Sequence, residues 1–177
     1  MKRDLLLALL KKTETDSVLI FTRTKHRASR LQQQIKNAGY GVTSLHSDRT
    51  QGQRQSALNG FKSGQFQIMV ATDIAARGLD VDSISHVINF DMPDTADAYI
   101  HRIGRTGRAE RNGDAFTLVT PEDEGVIRTL ERIMGHKLAR MTLQGFDYTT
   151  PAPPRLAPTT RKAGPRPLRR QPAQAGD

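Results

Sequence analysis

No cysteine occurs among the 177 residues. A disulfide framework and a thiolate metal site are both excluded, which fits a reducing cytoplasm. No long apolar run is present either. The most apolar stretch near the start, Leu5 to Leu10, is too short to span a bilayer and lacks the small-residue cleavage site of a signal peptide. The histidines (His26, His46, His86, His101 and His136) are scattered without ligand spacing, so no metal site is expected. A Gly-x-x-x-x-Gly-Lys-Thr/Ser phosphate loop is also missing.

What is present is charge. The formal net charge is +9, and the sequence pI is near 10.3. Such a surplus favours either a polyanionic partner, through release of condensed counterions, or plain solubility. Its placement is uneven. From Tyr148 to Asp177, six basic residues (Arg155, Arg161, Lys162, Arg166, Arg169, Arg170) face the single acid Asp177, a balance of +5 that leaves only about +4 for residues 1–147. Seven of the nine prolines also fall between Pro151 and Pro172. Residues 148–177 are therefore expected to form a disordered basic tail, and residues 1–147 a single domain.

Within that domain, short Val- and Ile-rich runs alternate with amphipathic stretches. Strands are predicted over Ser17–Thr22, Gly41–His46, Gln67–Thr72, His86–Asp91 and Ala115–Thr120. Helices are predicted over Met1–Lys12, Lys25–Ala38 (ending at Gly39), Gln51–Lys62 (ending near Gly64), Ala96–Ile103 and Glu122–Met134. Apolar runs without alternation, separated by helices, describe strands buried on both faces of a parallel sheet. The expected fold class is α/β, a doubly wound parallel sheet with helices on both faces. Ligands of such sheets gather beyond the carboxyl ends of the strands, here at Thr22, His46, Thr72 and Asp91.

Two segments near those ends carry candidate chemistry. In His101-Arg-Ile-Gly-Arg-Thr-Gly-Arg108, helical spacing would set Arg102, Arg105 and Arg108 in a slanting row on one face. Gly104 and Gly107 each weaken a helix by roughly 1 kcal/mol relative to alanine, which makes them expensive as filler. Guanidinium groups bind phosphate oxygens bidentately, and a crowd of them repels itself unless an anion joins it; a solvated basic face is the plainer reading. Ala71-Thr-Asp-Ile-Ala-Ala-Arg-Gly-Leu-Asp80 leaves a buried strand and places Thr72, Asp73, Arg77 and Asp80 in a strand-to-loop segment. Gly78 permits positive φ or close approach of a ligand, or simply serves a loop with a local Arg–Asp pair. Thr120-Pro-Glu-Asp-Glu124 resembles a metal box only superficially. Thr120 reads as an N-cap, Pro121 as the first helical residue and Asp123 as the reciprocal partner.

These segments together resemble the second RecA-like domain of the DEAD-box RNA helicases. Ala71–Asp80 is similar to their motif V and His101–Arg108 to motif VI. Val18-Leu-Ile-Phe21 with Thr24-Lys25 is similar to motif IV, Gln51-Gly-Gln-Arg54 to the Q-x-x-R element, and Val87–Pro93 to the strand between motifs V and VI. The likeness covers roughly Ser17 to Met134 in the family's order. It implies that Arg105 and Arg108 act as arginine fingers on the γ-phosphate of ATP, and that Gly78 and Asp80 lie at the nucleotide, Asp80 at the ribose. It implies that Gln51, Arg54, Thr72, Arg77 and Gly78 hold the sugar–phosphate backbone of RNA, with little reading of bases. His101 and Arg102 are implied to couple the domain interface. One departure is Ser47, standing where the family usually has glycine after His46.

The resemblance further implies an N-terminal RecA-like partner domain that holds ATP and magnesium. Neither the phosphate loop nor an Asp-Glu-Ala-Asp string occurs here, so this chain alone is expected to bind no cofactor and to lack ATPase activity. In the whole enzyme, ATP hydrolysis would drive local unwinding of RNA duplexes. Other readings are a stand-alone RNA-binding or regulatory module without catalytic duty, or a DNA helicase or translocase domain of the same fold. No membrane association is expected, and the tail is expected to tether RNA nonspecifically.

Overall fold

Val18, Leu19, Ile20 and Phe21 are each at most 2% exposed, as a strand covered on both faces requires. In the computed structural model they form β1 (Val18–Phe21), the middle of a five-stranded sheet. The structure describes residues 1–13, 16–77, 84–106 and 113–149. The remaining strands are β2 (Val42–Leu45), β3 (Ile68–Ala71), β4 (His86–Asn89) and β5 (Asp114–Thr117), in the order β2-β3-β1-β4-β5 and all parallel. The doubly wound α/β fold expected from the sequence is present.

The helices are α1 (Lys2–Lys12), α2 (Lys25–Asn37), α3 (Gln51–Lys62), α4 (Asp73–Ala76), α5 (Ala96–Ile103) and α6 (Glu124–Met134). Helices α2 and α3 each run on into a glycine with positive φ, Gly39 at 94° and Gly64 at 77°. The missing Cβ removes the steric penalty of that turn. Leu6, Leu10, Ala28, Leu31 and Ile35 of α1 and α2 pack on Val18, Ile20, Ile68 and Val70, one face of the sheet. The other face, through Leu19, Phe21 and Met69, meets Phe61 of α3 and Ala75 and Ala76 of α4. Tyr99 of α5 packs with Ile127 and Leu130 of α6 in a third cluster.

Strands β1 to β4 are each one or two residues shorter at their ends than expected, and the boundaries around α6 moved further. A 3₁₀ turn, Pro121–Asp123, precedes α6, and it carries the anticipated capping box: Thr120 N–H donates to Asp123 Oδ2 at 2.8 Å. Strand β5 ends at Thr117 rather than Thr120, because Thr120 already serves that cap. Beyond α6 an irregular arm folds back along the domain. Arg140 forks onto Glu124 (2.9 and 3.0 Å), and Lys12 Nζ donates to the Gln144 carbonyl. Packed contacts reach Tyr148, whose hydroxyl accepts from Leu143 N–H at 2.7 Å and whose ring meets Phe146 edge-on. The expected tail, from residue 150 onward, lies outside the described residues.

Candidate nucleotide and nucleic-acid faces

The chain leaves β1 for one face of the sheet and leaves β3 and β4 for the other. The tips of these three strands thus frame the crevice where open α/β sheets hold ligands. Here a protein side chain fills it. Arg102, only 3% exposed, forks onto Asp73 beyond β3, Nε to Oδ1 at 2.6 Å and Nη2 to Oδ2 at 2.7 Å. Its Nη1 donates to Asn89 Oδ1 (3.1 Å) and to the Asp91 carbonyl (2.8 Å) at the tip of β4. The guanidinium lies 5.0 Å from the ring centroid of Phe21, the last residue of β1. A buried cation is tolerable only when its donors are met, and most of this one's are met by acceptors at two strand ends, with the ring of Phe21 at a third.

The expected slanting row of arginines is therefore not what forms. Helix α5 ends at Ile103 with Gly104 as its C-cap. Arg102 points inward from the last turn while Arg105 sits past the helix end, half-buried. The helix ends at Ile103, so Arg105 already lies outside it and the two described arginines share no helical face. Arg108, Gly78 and Asp80 lie outside the described residues.

Two clefts open beside α4. Leu45, Gln51, Arg54, Gln55, Leu58, Ala75 and Arg77 line the first, of about 160 Å³. It brings together the Q-x-x-R pair and Arg77. Arg54 reaches toward the Ala75 carbonyl at 3.5 Å. The second is lined by Phe21, Asp73, Ala76, Arg77, Ala98, His101, Arg102 and Arg105. Arg77, exposed at the end of α4, borders both. Thr72 is the N-cap residue of α4 but makes no side-chain cap bond; its backbone N–H donates to Leu45 O at 3.2 Å. Thr72 lines neither cleft.

The family model of the helicase conserved C-terminal domain matches residues 1–110. The DEAD-box ATP-dependent RNA helicase CshA of Bacillus cereus is 41% identical over 155 residues, 88% of this chain and 30% of its own length. The chain belongs to the DEAD-box helicase C-terminal domains. Among solved DEAD-box structures, E. coli SrmB bound to regulator of ribonuclease activity A matches with a TM-score of 0.79 and 37% identity, over 86% of this chain and 89% of that one. S. cerevisiae Dbp5 bound to RNA and ADP BeF3 gives a TM-score of 0.69 and 33% identity, over 76% of this chain and 36% of that one. The chain thus spans about a third of the length of curated DEAD-box relatives such as CshA.

Sequence reasoning missed two features of this DEAD-box domain. Asp73 was read only as part of a loop, yet it is the acid that holds Arg102. Asn89 passed as a strand residue and Asp91 only as a strand-end ligand position, although both are buried and polar. A run of Val, Ile and Phe interrupted by Asn and Asp was the available signal, since buried polar groups imply partners. No group of three or more His, Asp or Glu able to hold a metal occurs among the described residues.

Proposed function

We propose that the chain is the C-terminal half of an ATP-dependent RNA helicase, closing over ATP and RNA together with an N-terminal RecA-like domain. One observation carries this reading. Two clefts lie on either side of α4 and share Arg77, one bordered by Arg105 and His101 and the other by Gln51 and Arg54. Nucleotide and RNA can then be felt by the same short helix. Arg105 and Arg108 neutralise the γ-phosphate in its loose transition state, and Gly78 and Asp80 meet the rest of the nucleotide. Gln51, Arg54, Thr72, Arg77 and Gly78 hold the sugar–phosphate backbone, which fixes register without reading sequence.

His101 and Arg102 serve coupling in different ways. His101 borders the second cleft and is exposed, suited to touch the partner domain. Arg102 acts from inside, tying α5 to the start of α4. ATP with magnesium belongs to the N-terminal domain, so this chain alone hydrolyses ATP no faster than background. Closure is a population shift toward the one state in which both ligands touch both domains, and hydrolysis reopens it. The work is cytoplasmic.

In the intact enzyme, Arg105→Ala should lower RNA-stimulated ATP turnover by about a thousandfold or more, the scale of a lost arginine finger. The circular dichroism and melting of this domain should stay close to wild type. Turnover surviving unchanged would remove the finger assignment.

A further inference from the structure

The segment that carries the chain from β2 into α3 is held mainly by one helix. On α2, Lys25, Ser29 and Gln32 recur at intervals of four and three residues, which stacks them along one face. Each has a partner on that segment. Lys25 Nζ meets Asp48 Oδ1 at 2.7 Å, and Ser29 Oγ meets His46 Nε2 at 3.0 Å. Gln32 Oε1 accepts from Ser44 Oγ at 2.8 Å and from Arg49 Nη2 at 3.1 Å. Arg49 also reaches Ser44 Oγ at 3.0 Å, and its backbone N–H donates to the His46 carbonyl at 3.0 Å. Thr50 follows at once as the N-cap of α3, in a reciprocal capping box with Gln53.

Such a network is a poor way to gain stability. His46 is 4% exposed, and its Nδ1, with Arg49 Nε, is buried without a hydrogen-bond partner among the described residues. An apolar seam of the same shape would cost less. What hydrogen bonds add is direction: they fix the register of a loop where apolar contacts let it slide. The need is local, since the buried residues of α3 are Ala57, Gly60 and Phe61, all in its second half. Gln51, Gly52 and Gln53 of its first turn are exposed. Apolar packing therefore anchors the far end of α3 and leaves its first turn to the cap and the polar ladder.

We propose that Lys25, Ser29 and Gln32 are positioning residues for nucleic-acid binding. By pinning His46, Asp48 and Arg49, they set the angle at which α3 presents Gln51 and Arg54 to the first cleft. This rests on the proposed RNA role of that cleft. The ladder makes the affinity of the Q-x-x-R pair depend on side chains that touch no RNA.

Binding of a short fluorescein-labelled oligouridylate to the full chain tests it, over a salt series, for wild type, Ser29→Ala, Gln32→Ala, Arg54→Ala and the double variant Gln32→Ala/Arg54→Ala. Ser29→Ala changes no charge and exchanges serine for a better helix former, so the fold is kept even if Gln32→Ala proves unstable. Ser29→Ala and Gln32→Ala should each weaken binding by about threefold to tenfold. Both should flatten the salt dependence toward that of Arg54→Ala, although neither removes a cation. The double variant should lose clearly less than the sum of the two single losses, because the ladder acts through Arg54 together with Gln51. Full wild-type affinity in both α2 variants alongside a weakened Arg54→Ala would overturn the ladder alone, and so would simply additive losses in the double variant. An unaffected Arg54→Ala would instead remove the RNA reading of the cleft, and the ladder's role with it.

Discussion

Arg102 shows what a single buried charge commits a fold to. Its guanidinium satisfies Asp73, Asn89 and the Asp91 carbonyl, three acceptors from two chain segments distant in sequence. Removing it leaves Asn89, fully buried, short of a donor, while Asp73, 41% exposed, can turn to water. Arg102→Ala should therefore destabilise the domain by about 3 kcal/mol or more, roughly 10 °C in thermal midpoint, and Asp73→Ala by clearly less. Equal losses would mean the ion pair, not the strand-tip acceptors, dominates. His46 offers a second test. Burial pushes its imidazole pKa down, helped by Arg49; Asp48 opposes, and Lys25 and His26 add to the fall. The unfolded chain thus binds the proton more readily than the folded one. Stability from His46 is complete above the ordinary value of about 6.5 and is lost as pH falls from there through the lower folded value. Melting from about pH 8 to about pH 5 should show that decline in wild type and a shallower one in His46→Gln. Parallel curves would show that His46 stays uncoupled from folding.

At the scale of elements, glycine separates helix ends from helix interiors. Gly39, just past α2, has φ 94°, and Gly125 lies inside α6 outside the left-handed region; an added Cβ at either meets nothing within 4 Å. Crowding is thus absent at both, and only backbone preference remains. Gly39→Ala should cost about 1–2 kcal/mol, and Gly125→Ala should stabilise by up to about 1 kcal/mol, read from urea midpoints. Matching signs would contradict this account. The same punctuation made α2 and α3 legible in sequence, because Gly39 and Gly64 mark where periodicity stops. Strands β1 and β3 were legible because unbroken apolar runs bury on both faces. Helix α4 was not. Four residues are too short to show a period, and Ala75 and Ala76 are buried for packing that only the folded sheet reveals. The inward turn of Arg102 was hidden for a related reason: arginine spacing alone does not say which face of α5 meets strand tips that are distant in sequence. Gln51, Arg54 and Arg77 were found by motif, but their shared cleft required α4 to be in place.

The whole molecule has two ends. Lys2 Nζ donates to the Leu118 carbonyl at 2.6 Å and approaches the Phe90 carbonyl at 3.5 Å, both just past the carboxyl ends of β5 and β4. Helix α1 therefore starts beside the strand tips and runs about 16 Å away from them. At its other end Lys12 holds the Gln144 carbonyl. The arm that leads into residues 150–177 is thus fastened at the far end of α1. Those residues carry the +5 charge balance, and a chain of that length reaches at most on the order of 90 Å from its anchor. We propose that they meet RNA flanking the clefts rather than RNA within them, raising its local concentration. Deleting Pro151 to Asp177 should then weaken binding of a long structured RNA and flatten its salt dependence, since fewer counterions are released. A short oligouridylate that only fills the first cleft should lose much less. Equal losses for both RNAs would place the basic segment inside the clamp, and no loss for either would leave it a solubilising end.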